Sequence, residues 1–542
     1  MPIGPRLAFS VLLALAPVLR AQTGPQILTF RSSADGSAQP YSIYVPRSFD
    51  AARRYPLVVS LHSEESDHRF NLRQVLAVPS RIGEMNPSDM HYLPAVRDLD
   101  FIVACPFARG TMGYEGPAEQ DVYDMLADVE QRFPIDRDRV YLTGISMGGG
   151  GALRLALTRP DVWAAVAPLC PIEEPGTEEV LGNALDLPVR LYHGDGDPIV
   201  PAQSSRDLQR KLLDAGARAE YFEYPGVRHN VWDFAYRNGA VFQWFAQQRR
   251  NAFPQRVRFL TRSYRYAEAY WVRIDELTPG TEASIDARLS GTNTVQVETK
   301  NLSEFTLKPL HPLAAAVIDG SVVRVRTRGA VSFEQIAGKW RLRQTEVTTL
   351  KRAGSEGPIA AAFTGAHIYV YGSLGARTDD ELAARRNTAE TAAAWNDRYR
   401  VAVTPLVKPD SEITAADIAC CNLILFGNAE TNSVIARFAS SLPLSLNPGA
   451  ADYGLVFIAP QGSHYVVVNS GLPWWTGAAE AGRGGDSFQP RQLRIVSAFG
   501  DYMLFRGSLE HVVAEGRFDS SWKLPPAAAA KMAATGTITI QK

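Results

Sequence analysis

The pentapeptide Gly144-Ile145-Ser146-Met147-Gly148 carries the most specific chemical signal in the chain. A serine flanked by glycines at this spacing matches the GxSxG nucleophile elbow, where a strand turns sharply into a helix and leaves no room for side chains beside the serine. The apolar segment VYLT precedes it and the helix-like segment GGGALRLALT follows. In that context Ser146 stands above the end of a strand, at a helix N-terminus whose dipole favours developing negative charge. A hydroxyl is a weak nucleophile until a base removes its proton. The chemistry therefore requires a histidine, and a carboxylate to hold that histidine's tautomer.

Two downstream loops supply them. The strand-like run Val189 to His193 leads into HGDGDPIVP, and Glu220 to Tyr224 leads into PGVRHNVW. Both loops fall at the carboxyl edge of the sheet, where ligands bind in open parallel sheets. This places an acid near His229. Asp195, between two glycines, and Asp197, before Pro198, compete for the role. Position at the far end of the loop favours Asp197, although either acid can cap the helix that begins near Gln203. His229 follows the acid in chain order, which favours a base over an ordinary surface histidine. His193 ends a buried strand and reads as support for the acid loop. The oxyanion needs two backbone N–H donors: one from Met147, and one from the loop His62-Ser63-Glu64-Glu65 after the third strand, from Ser63 or Glu64.

These loops need a scaffold, and the periodicities describe one. Gln26 to Val45 alternates like a hairpin around Asp35 and Gly36. Apolar strands then run over Tyr55 to His62, Phe101 to Pro106, Val140 to Gly144 and Ala164 to Leu169, with helical patterns over Ala118 to Phe133 and Gly148 to Thr158. Strands that are apolar on both faces and alternate with helices indicate an α/β layer with a parallel sheet, ending in a helix near Val241 to Arg249. From Pro254 the strands become short and rich in Val, Thr and Tyr, as in a small β-sandwich. From about Phe333 strands and helices alternate again, including His367 to Tyr371, Asp379 to Trp395, Asn422 to Phe426 and Leu493 to Val496. The expected division is a leader over 1–21, an α/β catalytic domain over 22–250, a β-sandwich over 251–332 and a second α/β domain over 333–542.

Composition narrows the class. With 542 residues, 46% hydrophobic and 21% charged, the chain is globular and long enough for several cores. A net charge of -1 provides no field that would favour nucleic acid. Arg6, the apolar run Leu7 to Val18 and Ala21 resemble a secretory leader, too short to span a bilayer, and point to a secreted or periplasmic protein. Only four cysteines occur, which argues against a disulfide scaffold. Cys105 and Cys170 fall on strands too far apart to bridge, and the neighbours Cys420 and Cys421 would close a strained ring, so four free thiols are expected. No cofactor is implied and no metal. Glu119, Asp121, Asp124 and Asp128 on one helix read as a solvated face. The pair Trp474 and Trp475 reads as a core anchor between domains or, less commonly, a sugar-stacking platform.

The segments YLTGISMGGGG, HGDGDPIVP and GVRHNVW resemble those of the secreted esterase branch of the α/β-hydrolase superfamily. That branch includes feruloyl esterases, polyhydroxybutyrate depolymerases and prolyl oligopeptidase-like proteins. The resemblance covers about Gln26 to Arg250, and the later segments look similar to multidomain bacterial relatives. It implies an α/β-hydrolase sheet with Ser146, Asp197 and His229 as catalytic residues, acting on a small-molecule or polymer ester, or on a peptide. The strand-three loop departs from the family, which has glycine and small residues where Ser63, Glu64 and Glu65 stand. Backbone donors survive that change, but carboxylates turned inward would oppose an oxyanion or select a cationic substrate group. A peptidase, and a noncatalytic binding protein on the same scaffold, are the competing functions. The sequence leaves the oligomeric state open.

Overall fold

The computed structural model describes residues 22–541 apart from 65, 78–97, 112, 326–328, 345–350, 353, 398–405 and 477–498. The leader, Glu65 and the strand expected over Leu493 to Val496 lie outside the described residues.

Every residue of strand β3 (Tyr55–Leu61) is buried. Because successive side chains on a strand face opposite ways, Leu57, Val59 and Leu61 enter one core and Val58 another. Two apolar faces demand two covering layers. Helices α2 (Pro117–Arg132) and α3 (Met147–Thr158) bring Val122, Met125, Leu155 and Ala156 to the first face. Helix α1 (His68–Val75) and the short helices Trp232–Ala235 and Ala240–Phe245 bring Leu72, Val75, Val241 and Phe245 to the second. Each such side chain taken fully out of water contributes roughly 1.5–3 kcal/mol. The last helix is shorter than the run expected over Val241 to Arg249.

With β1 (Gly24–Arg31), β2 (Ala38–Val45), β4 (Ile102–Pro106), β5 (Ile135–Ile145), β6 (Ala165–Leu169), β7 (Val189–Gly194) and β8 (Ala219–Tyr224), the strands form one eight-stranded sheet of order β1-β2-β4-β3-β5-β6-β7-β8. Strands β3 to β8 are mutually parallel, and the β1–β2 hairpin is antiparallel at one edge. The carboxyl ends of β3, β5, β7 and β8 thus open on one side.

The next region is a sandwich of two five-stranded sheets. One contains Arg256–Thr261, Ala283–Ser290 and Thr294–Lys300, and the other Val272–Leu277, Leu302–Leu307, Val331–Ile336 and Lys339–Leu342. The division expected at 332/333 therefore falls later, after Leu342. Val331 and Phe333 alternate inward against Phe305, so the chain cannot leave the sandwich there without exposing its core. Beyond it lies a mixed seven-stranded sheet, whose strands His367–Tyr371, Asn422–Phe426 and His464–Gly471 run parallel. Trp474 is buried against Trp475 and Phe499 in the core of that region itself rather than between domains. Among the described residues no helix is long and apolar enough to cross a membrane.

Two further expectations are overturned. The acids of α2 are not a solvated face: Asp121 and Glu119 are buried. Asp121 meets the buried guanidinium of Arg109 at 2.5 Å, Asp128 accepts from Tyr41 Oη at 2.7 Å, and Glu119 accepts from Tyr266 Oη of the sandwich at 2.6 Å. Helical spacing put the acids on one face but could not show that the hairpin and the sandwich cover it. Nor are there four free thiols. Cys420 and Cys421 form a disulfide, while Cys105 and Cys170 are free and buried. The bonded pair straddles a helix end, with Cys420 closing the helix and Cys421 already in the extended form.

Candidate active site

Strand β5 passes into α3 through Ser146, whose φ of 54° and ψ of -114° lie outside the regions a non-glycine residue ordinarily occupies. Such a conformation persists only where the surroundings enforce it. Here they do: a Cβ at Gly144 would strike Gly148 O, and one at Gly148 would strike Leu61 O and His62 O. The backbone N–H of Ser146 donates to Leu169 O at 2.9 Å, and its carbonyl accepts from Gly150 N at 3.0 Å and Ile172 N at 3.2 Å. The elbow is pinned to β6 on one side and to the end of β3 on the other.

The acid and histidine loops are pressed together. Gly196 N donates to Val227 O at 3.0 Å, Asp195 N to Tyr224 O at 3.2 Å, and a Cβ at Gly194 would strike the carbonyls of Val227 and Arg228. Asp195 accepts from Gly226 N at 2.6 Å and serves as a loop tie. Asp197 receives His229: Nδ1 lies 2.7 Å from Oδ2, with the carboxylate side chain fully buried. Its other oxygen accepts from Ile199 N at 2.8 Å and Val200 N at 3.0 Å. Burial works against the charge on Asp197, but the hydrogen bonds from His229, Val200 and Ile199 outweigh it and hold the carboxyl below the usual carboxylate range. Nδ1 is thereby engaged, leaving Nε2 of His229 for proton transfer.

His193 is fully buried. Its ring contacts Ser205 Oγ at 2.8 Å and Val200 O at 3.0 Å, and Nε2 stands 3.3 Å from Asp197 Oδ2. Burial pushes its pKa down, so it supports the acid loop as a neutral ring.

Cys170, which the sequence reading treats only as a thiol, joins the two halves. It directly follows Leu169, the acceptor of the Ser146 N–H, and its thiol points at His229 O at 3.6 Å. Burial raises its pKa far above the ordinary thiol value, so it stays protonated. Donor atoms of Cys170, Asp197 and His229 all lie within 4.8 Å of one another. A metal there would have to displace the His229–Asp197 bond and deprotonate that thiol. No sequence signal short of the fold marks Cys170, because its role comes from its place at the end of β6.

On the opposite side Met147 opens α3 and is buried. Ser63 and Glu64 lie half-buried in the loop after β3. His62 fixes the root of that loop: its ring contacts Ser63 O and Phe107 O, each at 2.8 Å, and its carbonyl accepts from Tyr114 Oη at 3.0 Å. Tyr114 and Phe107 were not singled out in the sequence.

Six parallel strands with an antiparallel hairpin at the edge, a serine at a forced elbow after β5, an acid after β7 and a histidine after β8 settle the fold. This layer has the α/β-hydrolase fold. Residues 110–256, which include Ser146, Asp197 and His229, match the Dienelactone hydrolase family model. Cutinase 1 of Thermobifida cellulosilytica is 34% identical over 98 residues, 18% of this chain and 36% of that protein. S-formylglutathione hydrolase of Paracoccus denitrificans is 41% identical over 102 residues, 18% of this chain and 35% of that protein. The chain spans about a third of the length of the curated relatives it matches. Among solved structures, a thermostable esterase aligns over 42% of this chain and 63% of its own at 26% identity and a TM-score of 0.34. A ferulic acid esterase from Anaeromyces mucronatus aligns over 41% of this chain and 90% of its own at 15% identity and a TM-score of 0.32.

Proposed function

We propose that the hydrolase layer cleaves carboxylic esters through an acyl-enzyme on Ser146. The bond of 2.7 Å between His229 Nδ1 and Asp197 Oδ2, in the loops that follow β7 and β8, carries this reading. His229 Nε2 takes the Ser146 proton as Oγ attacks the ester carbonyl, and Asp197 stabilises the imidazolium. Backbone N–H groups of Met147 and of Ser63 or Glu64 hold the oxyanion. On collapse the C–O bond to the alcohol breaks and His229 returns the proton to the leaving oxygen. Water, deprotonated by the same histidine, then releases the acid. The relatives named cutinase and S-formylglutathione hydrolase support this reaction class.

The test is labelling with a fluorophosphonate probe, alongside a panel of short acyl esters and peptides. Ser146→Ala should lose labelling and ester turnover. Equal labelling of both proteins removes Ser146 as nucleophile, and faster turnover of peptides than of esters replaces the esterase by a peptidase. We also propose export, from Arg6 and the apolar run Leu7 to Val18. Fractionation of the producing cells with N-terminal sequencing of the product tests it, and a cytosolic product that retains Leu7 to Val18 refutes it.

A further inference from the structure

The parallel part of the seven-stranded sheet has a place where its connections diverge. From His367–Tyr371 the chain passes through the helix Asp379–Asp397 to Leu406–Pro409 on one side, then returns to Asn422–Phe426 on the other. That helix lays Ala389, Ala392 and Ala393 on one face of the sheet, whereas Ser433–Phe438, which follows Asn422–Phe426, lays Val434, Ile435 and Phe438 on the opposite face. Loops that leave neighbouring parallel strands for opposite faces open a crevice at the carboxyl ends, where open α/β sheets bind ligands. Arg385 spans this crevice. Its Nη1 donates to Leu374 O at 2.8 Å and Gly372 O at 3.2 Å after the first strand, and to Thr431 O at 3.5 Å after the second.

A cavity of about 180 Å³ opens beside Arg385, with Thr388, Phe426, Asn469, Pro473 and Trp475 in its wall. It is smaller than the ~300 Å³ of a drug-sized site, with room for one ring rather than a chain. The two tryptophans divide here. Trp474 is 4% exposed in the core, whereas Trp475, edge to face against it, is half-buried and forms part of the cavity wall. Asn469 is also half-buried, on the same face of its strand as Tyr465 and Val467. Among the described residues its side chain makes one hydrogen bond, from Nδ2 to Leu425 O, long at 3.4 Å. Thr388 Oγ1 donates to Ala384 O at 3.0 Å and keeps its acceptor capacity. The cavity carries no net charge, because Arg385, the one ionic residue among its described lining, pairs with Glu381 at 2.5 Å. Asp379, Asp380 and Glu381 fill the first turn of the helix and oppose a phosphate at that edge. A fitting ligand is neutral, has an apolar face for the indole, and has hydroxyls at its rim for an amide and a hydroxyl.

We propose that this cavity binds one neutral pyranose unit of a carbohydrate. The C–H face of the sugar ring lies on the Trp475 indole, and its hydroxyls meet the Asn469 amide and Thr388 Oγ1. A free monosaccharide and one unit of a glycan chain present the same chemistry, and the experiment separates them. Binding does not depend on the esterase reading.

The full chain, labelled with ¹⁵N-tryptophan, is titrated with the methyl β-glycosides of xylose, glucose and galactose. Cyclohexanol serves as an apolar ring and adenosine monophosphate as an anionic ligand. At least one glycoside should shift saturably one of the nine indole N–H signals, the one that is missing from Trp475→Ala. The Kd should be of roughly millimolar order for so few atoms. Saturation-transfer titrations of the same sugar should find binding weakened by about tenfold or more in Trp475→Ala, and by about three- to tenfold in Asn469→Ala. Asn469→Ala removes from the fold only the long bond to Leu425 O, so it still decides should Trp475→Ala disturb the packing of Trp474. In the second arm, the sugar that binds is compared with its β-1,4-linked tetrasaccharide. Binding of the tetrasaccharide at least as tightly assigns the cavity to a glycan chain, and its exclusion assigns the cavity to a free sugar. The proposal is overturned if no glycoside gives a saturable shift, if cyclohexanol or the nucleotide binds as tightly, or if neither variant weakens binding.

Discussion

His229 Nδ1 stands 2.7 Å from Asp197 Oδ2, whereas Asp195, two residues earlier in the same loop, accepts from Gly226 N at 2.6 Å. One short loop thus carries two carboxylates with separate tasks. Asp195 ties the acid loop to the histidine loop, and Asp197, clamped by Ile199 N and Val200 N, holds the His229 ring.

Asp197→Asn keeps the shape of the loop but takes away the acceptor that fixes the tautomer of His229. By analogy with other hydroxyl nucleophiles, kcat for a p-nitrophenyl ester should drop by about 10⁴-fold. Asp195→Asn should change it by less than about tenfold, because only a loop hydrogen bond is weakened. The reverse ranking would move the acid assignment to Asp195.

The elbow and its two partner loops were legible because their requirements are local. Gly144 is dictated by Gly148 O one turn on, Gly148 by the end of the neighbouring strand that the elbow pattern itself implies, and the apolar runs that end at His193 and Tyr224 announce parallel strands. Asp121 and Glu119 were misread for the opposite reason. Their partners Arg109 and Tyr266 stand 12 and 147 residues away, and only the fold brings them together. The end of the sandwich was placed too early because Val331–Ile336 alternates as any strand does. Its partner, Leu302–Leu307, decides which sheet it joins.

Arg109 is the hub of the missed network. Fully buried, it bonds Asp121 and Asp35, each at 2.5 Å, and Ser32 at 2.9 Å, so it holds the β1–β2 turn on α2. The guanidinium overcomes the burial of Asp35 and holds that carboxyl at about 2. Arg109→Met leaves the buried Asp121 carboxylate without its counter-charge, with only Ser32 Oγ still donating to it, at a cost of about 3–5 kcal/mol. That lowers Tm by roughly 10 °C in a layer of this size. Adding Asp121→Leu to Arg109→Met should recover part of the loss, as thermal melts of the three proteins would show. No recovery would mean that the pair is not the cause.

The cysteines allow a direct count. Cys105 and Cys170 are buried, and burial pushes both thiols well above the ordinary value, so neither should react in the native protein. Titration with a thiol reagent should find no fast-reacting group in the folded, unreduced protein. It should find two groups after unfolding and four after unfolding with reductant. Four groups without reductant would show that Cys420 and Cys421 are unbonded.

Stability should fall on acidification before the carboxylates begin to protonate. Burial pushes His68 down to about 4, with the charge of Asp67 opposing, and burial lowers His62 and His193 in the same direction. A histidine neutral in the fold takes up a proton on unfolding once the pH is below its unfolded value of about 6.5. Its stabilisation is therefore complete above that value and is lost as the pH falls toward the folded value. For His68 the window runs from about 6.5 to 4 and is worth up to ~3 kcal/mol. Asp197, held below the carboxylate range, acts with the same sign but only under about pH 4. Burial raises Asp121 and Glu356, and these two act with the opposite sign. Their contribution is common to wild type and a His68 variant, and it cancels in the comparison. Melts from pH 7.5 to 4.5 should show Tm falling less steeply for His68→Gln than for wild type. Parallel curves would mean that the His68 ring takes up its proton equally in the folded and unfolded protein, with Ser42 Oγ at 2.8 Å then acting as acceptor to Nδ1.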